Sequence, residues 1–188
     1  GFLEDKGQED RYIFGFEESY GYLAGSYVRD KDAVVASMLI CEMAAFYRTK
    51  GISLIQAREN MYKKYGVYVH SQSSFVCEGV TGMERMKEIM SDLRTNTPKT
   101  IGGLTVTRFE DYLASTSVDT ATGAKTMLTL PKSDVLTFKL TDGASVIIRP
   151  SGTEPKIKAY YTTTGTTKAE AAALEKTISD DFAKILGF

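Results

Sequence analysis

The sequence predicts two architectures in succession. The tail of an α/β domain occupies residues 1–66, and an antiparallel sheet with two helices on one face occupies residues 67–188. Three observations lead there. The first third holds one short apolar run followed by two consecutive segments of helical periodicity. Beyond Gly66 the extended and alternating segments return, at 67–78, 104–109, 135–140, 144–149 and 157–161. Two further helix starts carry Thr-x-x-Glu boxes, at Thr81 and Thr167, and two such helices are enough to cover one face of a sheet.

Each element has a local reason. Tyr12–Phe16 is an apolar, aromatic run and reads as a strand. Gly21 and Gly25 then imply irregular backbone up to Asp32. Residues 33–49 place Val35, Met38, Leu39 and Phe46 on one helical face, with Asp32 as the cap and Gly51 as the stop. Ser53 and Gln56 form a capping box for a second helix, whose face carries Leu54, Ala57, Met61 and Tyr65 and which Gly66 ends. A helix opening at Thr81 turns Met86, Ile89, Met90 and Leu93 inward, and Pro98 lies past its end. Gly102-Gly103 turns into the strand 104–109, and residues 119–125 are small and polar, a loop. Asp142-Gly143 joins two alternating segments as a hairpin turn. The last helix, from Thr167, faces Leu174, Ile178, Phe182 and Ile185 inward and ends at Gly187.

Bulk properties exclude several classes of function. With 188 residues, 43% hydrophobic and 25% charged, the chain is long enough for a core without disulfide or metal staples. A formal net charge of -1 argues against general nucleic-acid binding, which needs a cationic face. No apolar run is long enough for a membrane span and no signal peptide opens the chain, so a cytoplasmic protein is expected. Cys41 and Cys77 both read as buried small hydrophobes, and their spacing suggests neither a metal nor a redox pair. The chain opens without Met, and a strand follows after a few polar residues. Both features lead us to expect an excised fragment.

Two loops could carry chemistry. Arg149-Pro-Ser-Gly-Thr-Glu-Pro155 lies between two strands that fix its ends. Arg149 offers a planar fork of donors, Ser151 and Thr153 add hydroxyls, and Gly152 is expected to adopt positive φ and shape an anion nest. Pro150 and Pro155 stiffen the loop, and Lys156 and Lys158 add positive charge. Glu154 does not suit an anion site and is expected to point away or pair with a lysine. The second loop, Gly15-Phe-Glu-Glu-Ser-Tyr-Gly21, offers carboxylates and a hydroxyl to a run of sugar hydroxyls. Arg29-Asp-Lys-Asp32 supplies a cation, Arg29 or Lys31, that can reach over the same pocket. His70 has no carboxylate or serine spaced for a triad, and none of the tyrosines is assigned a catalytic role. No Walker loop, zinc spacing or dinucleotide fingerprint is present.

Three stretches together, Phe14-Gly-Phe-Glu-Glu-Ser-Tyr-Gly-Tyr22, Val28-Arg-Asp-Lys-Asp-Ala33 and Arg149-Pro-Ser-Gly-Thr-Glu-Pro-Lys156, give a sequence that resembles the C-terminal half of the phosphohexomutases, nearest the phosphoglucomutase/phosphomannomutase branch. The resemblance implies an enzyme of four domains with its active site in the cleft between them. Such an enzyme interconverts hexose 1-phosphate and hexose 6-phosphate through a hexose 1,6-bisphosphate, which also serves as activator. It implies sugar contacts from Glu17, Ser19 and Lys31, and phosphate contacts from Arg149, Ser151, Gly152 and Thr153. It also implies Mg²⁺ in the full-length enzyme. The family's phosphoserine loop and its Asp-rich metal loop have no counterpart in this sequence, so no catalytic residue and no metal ligand is assigned here. Residues 1–66 would be the tail of domain three and residues 67–188 domain four. The partners implied are a phosphorylated hexose and the missing N-terminal domains of the same chain, with no nucleic acid and no membrane. Two other readings compete: a stand-alone phosphosugar-binding or regulatory module, and an interaction domain whose Ser-Gly-Thr loop is only structural.

Overall fold

The computed structural model describes residues 2–17, 20–79 and 81–188. The chain divides into two compact units, residues 1–61 and 62–188.

In the first unit, strands β1 (Phe14–Phe16) and β2 (Tyr22–Ala24) pair antiparallel, Gly15 opposite Leu23. The second strand corrects the expectation of irregular backbone as far as Asp32. Its three residues form a strand only because β1 supplies the hydrogen-bond partners, which local composition does not reveal. Helix α1 spans Ala33–Thr49, and the Asp32 carboxylate accepts from the Val34 and Val35 N–H groups at its start. Gly51 ends it at φ 71°. Helix α2 spans Leu54–Tyr65, opened by the Ser53 hydroxyl accepting from the Gln56 N–H at 3.1 Å. The expected inward face of α1 is not buried: no α1 residue is, and Met38 and Phe46 are each 53% exposed. Cys41 is exposed too, against expectation. Two short strands and two helices do not supply the layers that an apolar helix needs on both sides.

The second unit is built on one antiparallel sheet in the order β3-β10-β9-β8-β5-β6-β7. Its strands are β3 (Val67–Val76), β5 (Leu104–Asp111), β6 (Thr116–Asp119), β7 (Lys125–Met127), β8 (Leu136–Leu140), β9 (Ser145–Pro150) and β10 (Lys156–Gly165). A short β4 (Thr100–Ile101) pairs with β5 outside that path. The alternating residues Val146, Ile148, Ile157, Ala159 and Tyr161 point to one face and are all but fully buried. They share one core with Met86, Met90 and Leu93 of α3 (Gly82–Thr95) and with Ile178 and Phe182 of α4 (Lys168–Ile185). Both helices therefore cover the same face, as expected. The other face carries Arg108, Lys139, Arg149, Lys158 and Tyr160.

Local signals decide most ends in this unit. Thr167 and Glu170 close a reciprocal capping box on α4. Asp142 and Gly143 both take positive φ, 58° and 72°, in the β8–β9 turn, a conformation that Asp and Gly tolerate better than other residues. Two expectations for the helices fail. The Thr81 box does not form, because Thr81 sits at φ -90°, ψ 7° rather than in the extended conformation that aims a hydroxyl at the helix. Ile185 is 36% exposed, and Leu186 fills the core in its place at 5%.

Candidate phosphate and sugar loops

In the first unit, β1 ends at Phe16 and delivers Glu17 to the hairpin loop, where its N–H donates to Gly21 O at 2.8 Å. The Asp32 N–H donates to Tyr22 O at 2.8 Å, which pins the stretch before α1 against the second strand. This brings the Lys31 ammonium to 3.4 Å from a Glu17 carboxylate oxygen and 2.9 Å from Asp30. Gly21 permits the approach: a Cβ there would lie 2.6 Å from Lys31 Cγ and 3.0 Å from a Glu17 oxygen. The hydrogen bond to Asp30, with the charges of Asp30 and Glu17, raises the Lys31 ammonium above its ordinary value, so it stays charged. Arg29 is committed elsewhere, to Glu4 at 2.9 Å and to Ser26 O at 2.7 Å. Lys31 is thus the cation that reaches Glu17. Both line a cleft of about 310 Å³ together with Tyr12, Gly15, Asp30 and Arg29. Ser19 lies outside the described residues.

In the second unit, β9 and β10 hold the loop Arg149–Lys156 at both ends, and the Ser151 N–H closes its base onto Lys156 O at 2.8 Å. Lys156 takes the Glu154 carboxylate in an ion pair, which disposes of the one anionic member as expected. That pairing holds the Glu154 carboxyl below its ordinary value. The Ser151 hydroxyl accepts weakly from the Thr153 N–H at 3.5 Å. The Gly152 and Glu154 N–H groups have no acceptor among the described residues. Gly152 does not take the expected positive φ, so the nest does not form in that way. The loop is open at this point, since a Cβ at Gly152 would meet nothing within 4 Å. The loop bends without a left-handed residue because its base is tied by the strand pair.

Arg149 stands directly opposite Lys158 across the β9–β10 ladder. Like charges in that relation repel unless an anion sits between them. Neither makes an ion pair with a protein carboxylate among the described residues. The Arg149 Nε–H donates to the Tyr160 hydroxyl at 3.3 Å, and its guanidinium lies 5.9 Å from that ring's centroid. Tyr160 is the residue that sequence reasoning missed. The signal was available in principle: Lys158 and Tyr160 alternate along a strand that must share a face with Arg149. His70 faces solvent on β3, with Nδ1 3.1 Å from the Thr162 hydroxyl.

The family model described as phosphoglucomutase/phosphomannomutase, C-terminal domain, matches residues 85–180. The chain belongs to the phosphoglucomutase/phosphomannomutase family. The family's alpha/beta/alpha domain III model matches residues 2–65. A phosphoglucomutase of Staphylococcus aureus (strain bovine RF122 / ET3-1) is 40% identical over 148 residues, 79% of this chain and 27% of that protein. One from Staphylococcus epidermidis (strain RP62A) is 37% identical over 152 residues, 81% of this chain and 28% of that protein. The chain thus spans about a quarter of the length of the relatives it matches. In fold it resembles the open form of pp63/parafusin, a phosphoglucomutase from Paramecium, with a TM-score of 0.65 at 18% identity, covering 98% of this chain and 31% of that one. Among the described residues no helix is long and apolar enough to cross a membrane.

Proposed function

We propose that this chain supplies the substrate-gripping part of a cytoplasmic phosphoglucomutase-type isomerase that interconverts hexose 1-phosphate and hexose 6-phosphate. The loop Arg149–Thr153 holds the phosphate that is not being transferred. Glu17, Ser19 and Lys31 hold sugar hydroxyls. Residues 1–66 belong to domain three of such an enzyme and residues 67–188 to domain four. One observation carries the reading. Around one loop stand a guanidinium, a lysine, two hydroxyls and two N–H groups with no acceptor among the described residues, and the loop's own carboxylate, Glu154, is occupied by Lys156. That is a donor set for a dianion. A grip of this kind orients the reacting end of the substrate through binding energy spent far from it.

Mg²⁺ belongs to the chemistry of the whole enzyme. The residues here do not fit it: no group of three or more His, Cys, Asp or Glu side chains gathers among the described residues. The chain alone is expected to show no mutase turnover. The test is a ¹⁵N-resolved titration of the 188-residue chain with glucose 1-phosphate, glucose 6-phosphate and unphosphorylated glucose. Saturable shifts of Gly152, Thr153 and Glu154 with both phosphates, and none with glucose, are the expected result. An equal response to glucose, or no response to either phosphate, would overturn the reading.

A further inference from the structure

The phosphate loop is held from outside as well as at its base. The β3–β10 ladder ends with Val76 opposite Lys156, and the chain of β3 then runs on by one residue. The Cys77 N–H donates to Pro155 O at 2.8 Å, adding a rung that reaches past the strand onto the loop itself. Cys77 is fully buried. The first residue of α3, Gly82, is buried against this rung. A Cβ on Gly82 would lie 2.0 Å from Cys77 O, 3.0 Å from Cys77 C and 3.1 Å from Pro155 Cβ. The first two of these neighbours are backbone, so no rotamer change relieves the overlap. The peptide of Cys77, the loop, or the start of α3 must move. Gly82 does not need glycine for its φ, which is not left-handed. The requirement is for close approach alone.

We propose that Gly82 is a positioning residue for the phosphate loop. Its missing side chain lets α3 seat the Cys77 peptide so that the Cys77 N–H fixes the Pro155 carbonyl, and with it the pose of Ser151, Gly152 and Thr153. The inference rests on the phosphate reading of the loop. It adds a residue that touches no ligand and sits on a different element.

The experiment uses the 188-residue chain with inorganic phosphate as probe. Loop amide shifts give the affinity, and hydrogen exchange of the Cys77 N–H reports on the rung. Gly82→Ala should weaken phosphate binding by about tenfold or more, the scale on which a fraction of an ångström matters at a binding group. It should also speed Cys77 exchange and shift the resonances of 151–156 before phosphate is added. Ile178→Val, a core change on α4, should lower Tm and leave the phosphate affinity unchanged, which separates positioning from general loss of stability. Gly82→Ala with unaltered Cys77 exchange and unaltered loop resonances would overturn the inference, whether or not phosphate binds. Unchanged affinity would do the same. A wild-type chain that never saturates with phosphate would overturn the phosphate reading instead, and Cys77 exchange in Gly82→Ala would still decide the mechanical tie. Should Gly82→Ala fail to fold, the wild-type chain decides: saturating phosphate should slow Cys77 exchange, and no slowing sinks the proposal.

Discussion

The Tyr160 hydroxyl accepts the Nε–H of Arg149 at 3.3 Å across the β9–β10 ladder, and among the described residues the two terminal nitrogens of the guanidinium donate to no protein acceptor. A guanidinium presented in this way keeps the flat edge that matches two phosphate oxygens. Tyr160 thus holds Arg149 by its Nε–H and leaves open the edge that the proposed phosphate would take.

Arg149→Ala should weaken binding of glucose 6-phosphate to the chain by about 2 kcal/mol, roughly 30-fold, the value of a charged hydrogen-bonded contact. Arg149→Lys should recover only part of this, because an ammonium keeps the charge but not the fork. Tm should hardly move, since Arg149 is exposed and makes no ion pair with a protein carboxylate among the described residues. Melting and binding are to be measured on the same samples. A binding loss that disappears once the folded fraction is counted would make Arg149 a structural residue.

Tyr160→Phe keeps the ring beside the guanidinium and removes the acceptor. The bond is long and solvent-accessible, so the expected loss in phosphate affinity is small, about threefold. The Arg149 Nε–H resonance should shift and broaden. An unperturbed Arg149 side chain in the variant would show that the hydroxyl does not hold it.

Thr167→Ala should cost about 1 kcal/mol of stability in denaturant unfolding, the usual price of an N-cap. Thr81→Ala should cost almost nothing, because no side-chain cap bond exists there. The two positions look alike in sequence, so equal losses would contradict the distinct geometries of the two helix starts.

A chain of residues 62–188 should fold alone, giving dispersed amide spectra and a cooperative melt. Its core cluster, Cys77 to Leu186, lies wholly within that span. Residues 2–61 alone should not, since no residue of α1 or α2 is buried and Phe16 and Val34 are 74% and 80% exposed. Amide spectra of the two pieces check both statements, and a collapsed, undispersed 62–188 would refute the first.

What was legible in the sequence were the elements whose causes are local. Asp32 and Gly51 bound α1 because a carboxylate satisfies the orphan N–H groups at one end and glycine accepts positive φ at the other. Asp142-Gly143 and the Thr167 box follow the same rule, and the segments 144–149 and 157–161 were legible as strands, in which Ile148, Ile157 and Tyr161 turn to the buried face. The loop Arg149–Lys156 could also be picked out, because its donors are close neighbours in the chain. Pairings between distant residues could only be decided by the tertiary structure. The short strands β2, β4, β6 and β7 exist because a partner strand completes their hydrogen bonds. Thr81 fails to cap because its backbone is not extended where α3 begins, the point at which Gly82 meets Cys77 and Pro155. Gly152 can keep an ordinary φ because the strand pair bends the loop for it. Register set Tyr160 beside Arg149 and Lys158 opposite it, and Gly82 beneath the loop, since a hydrogen-bonded ladder and a packed core join residues without regard to their separation along the chain.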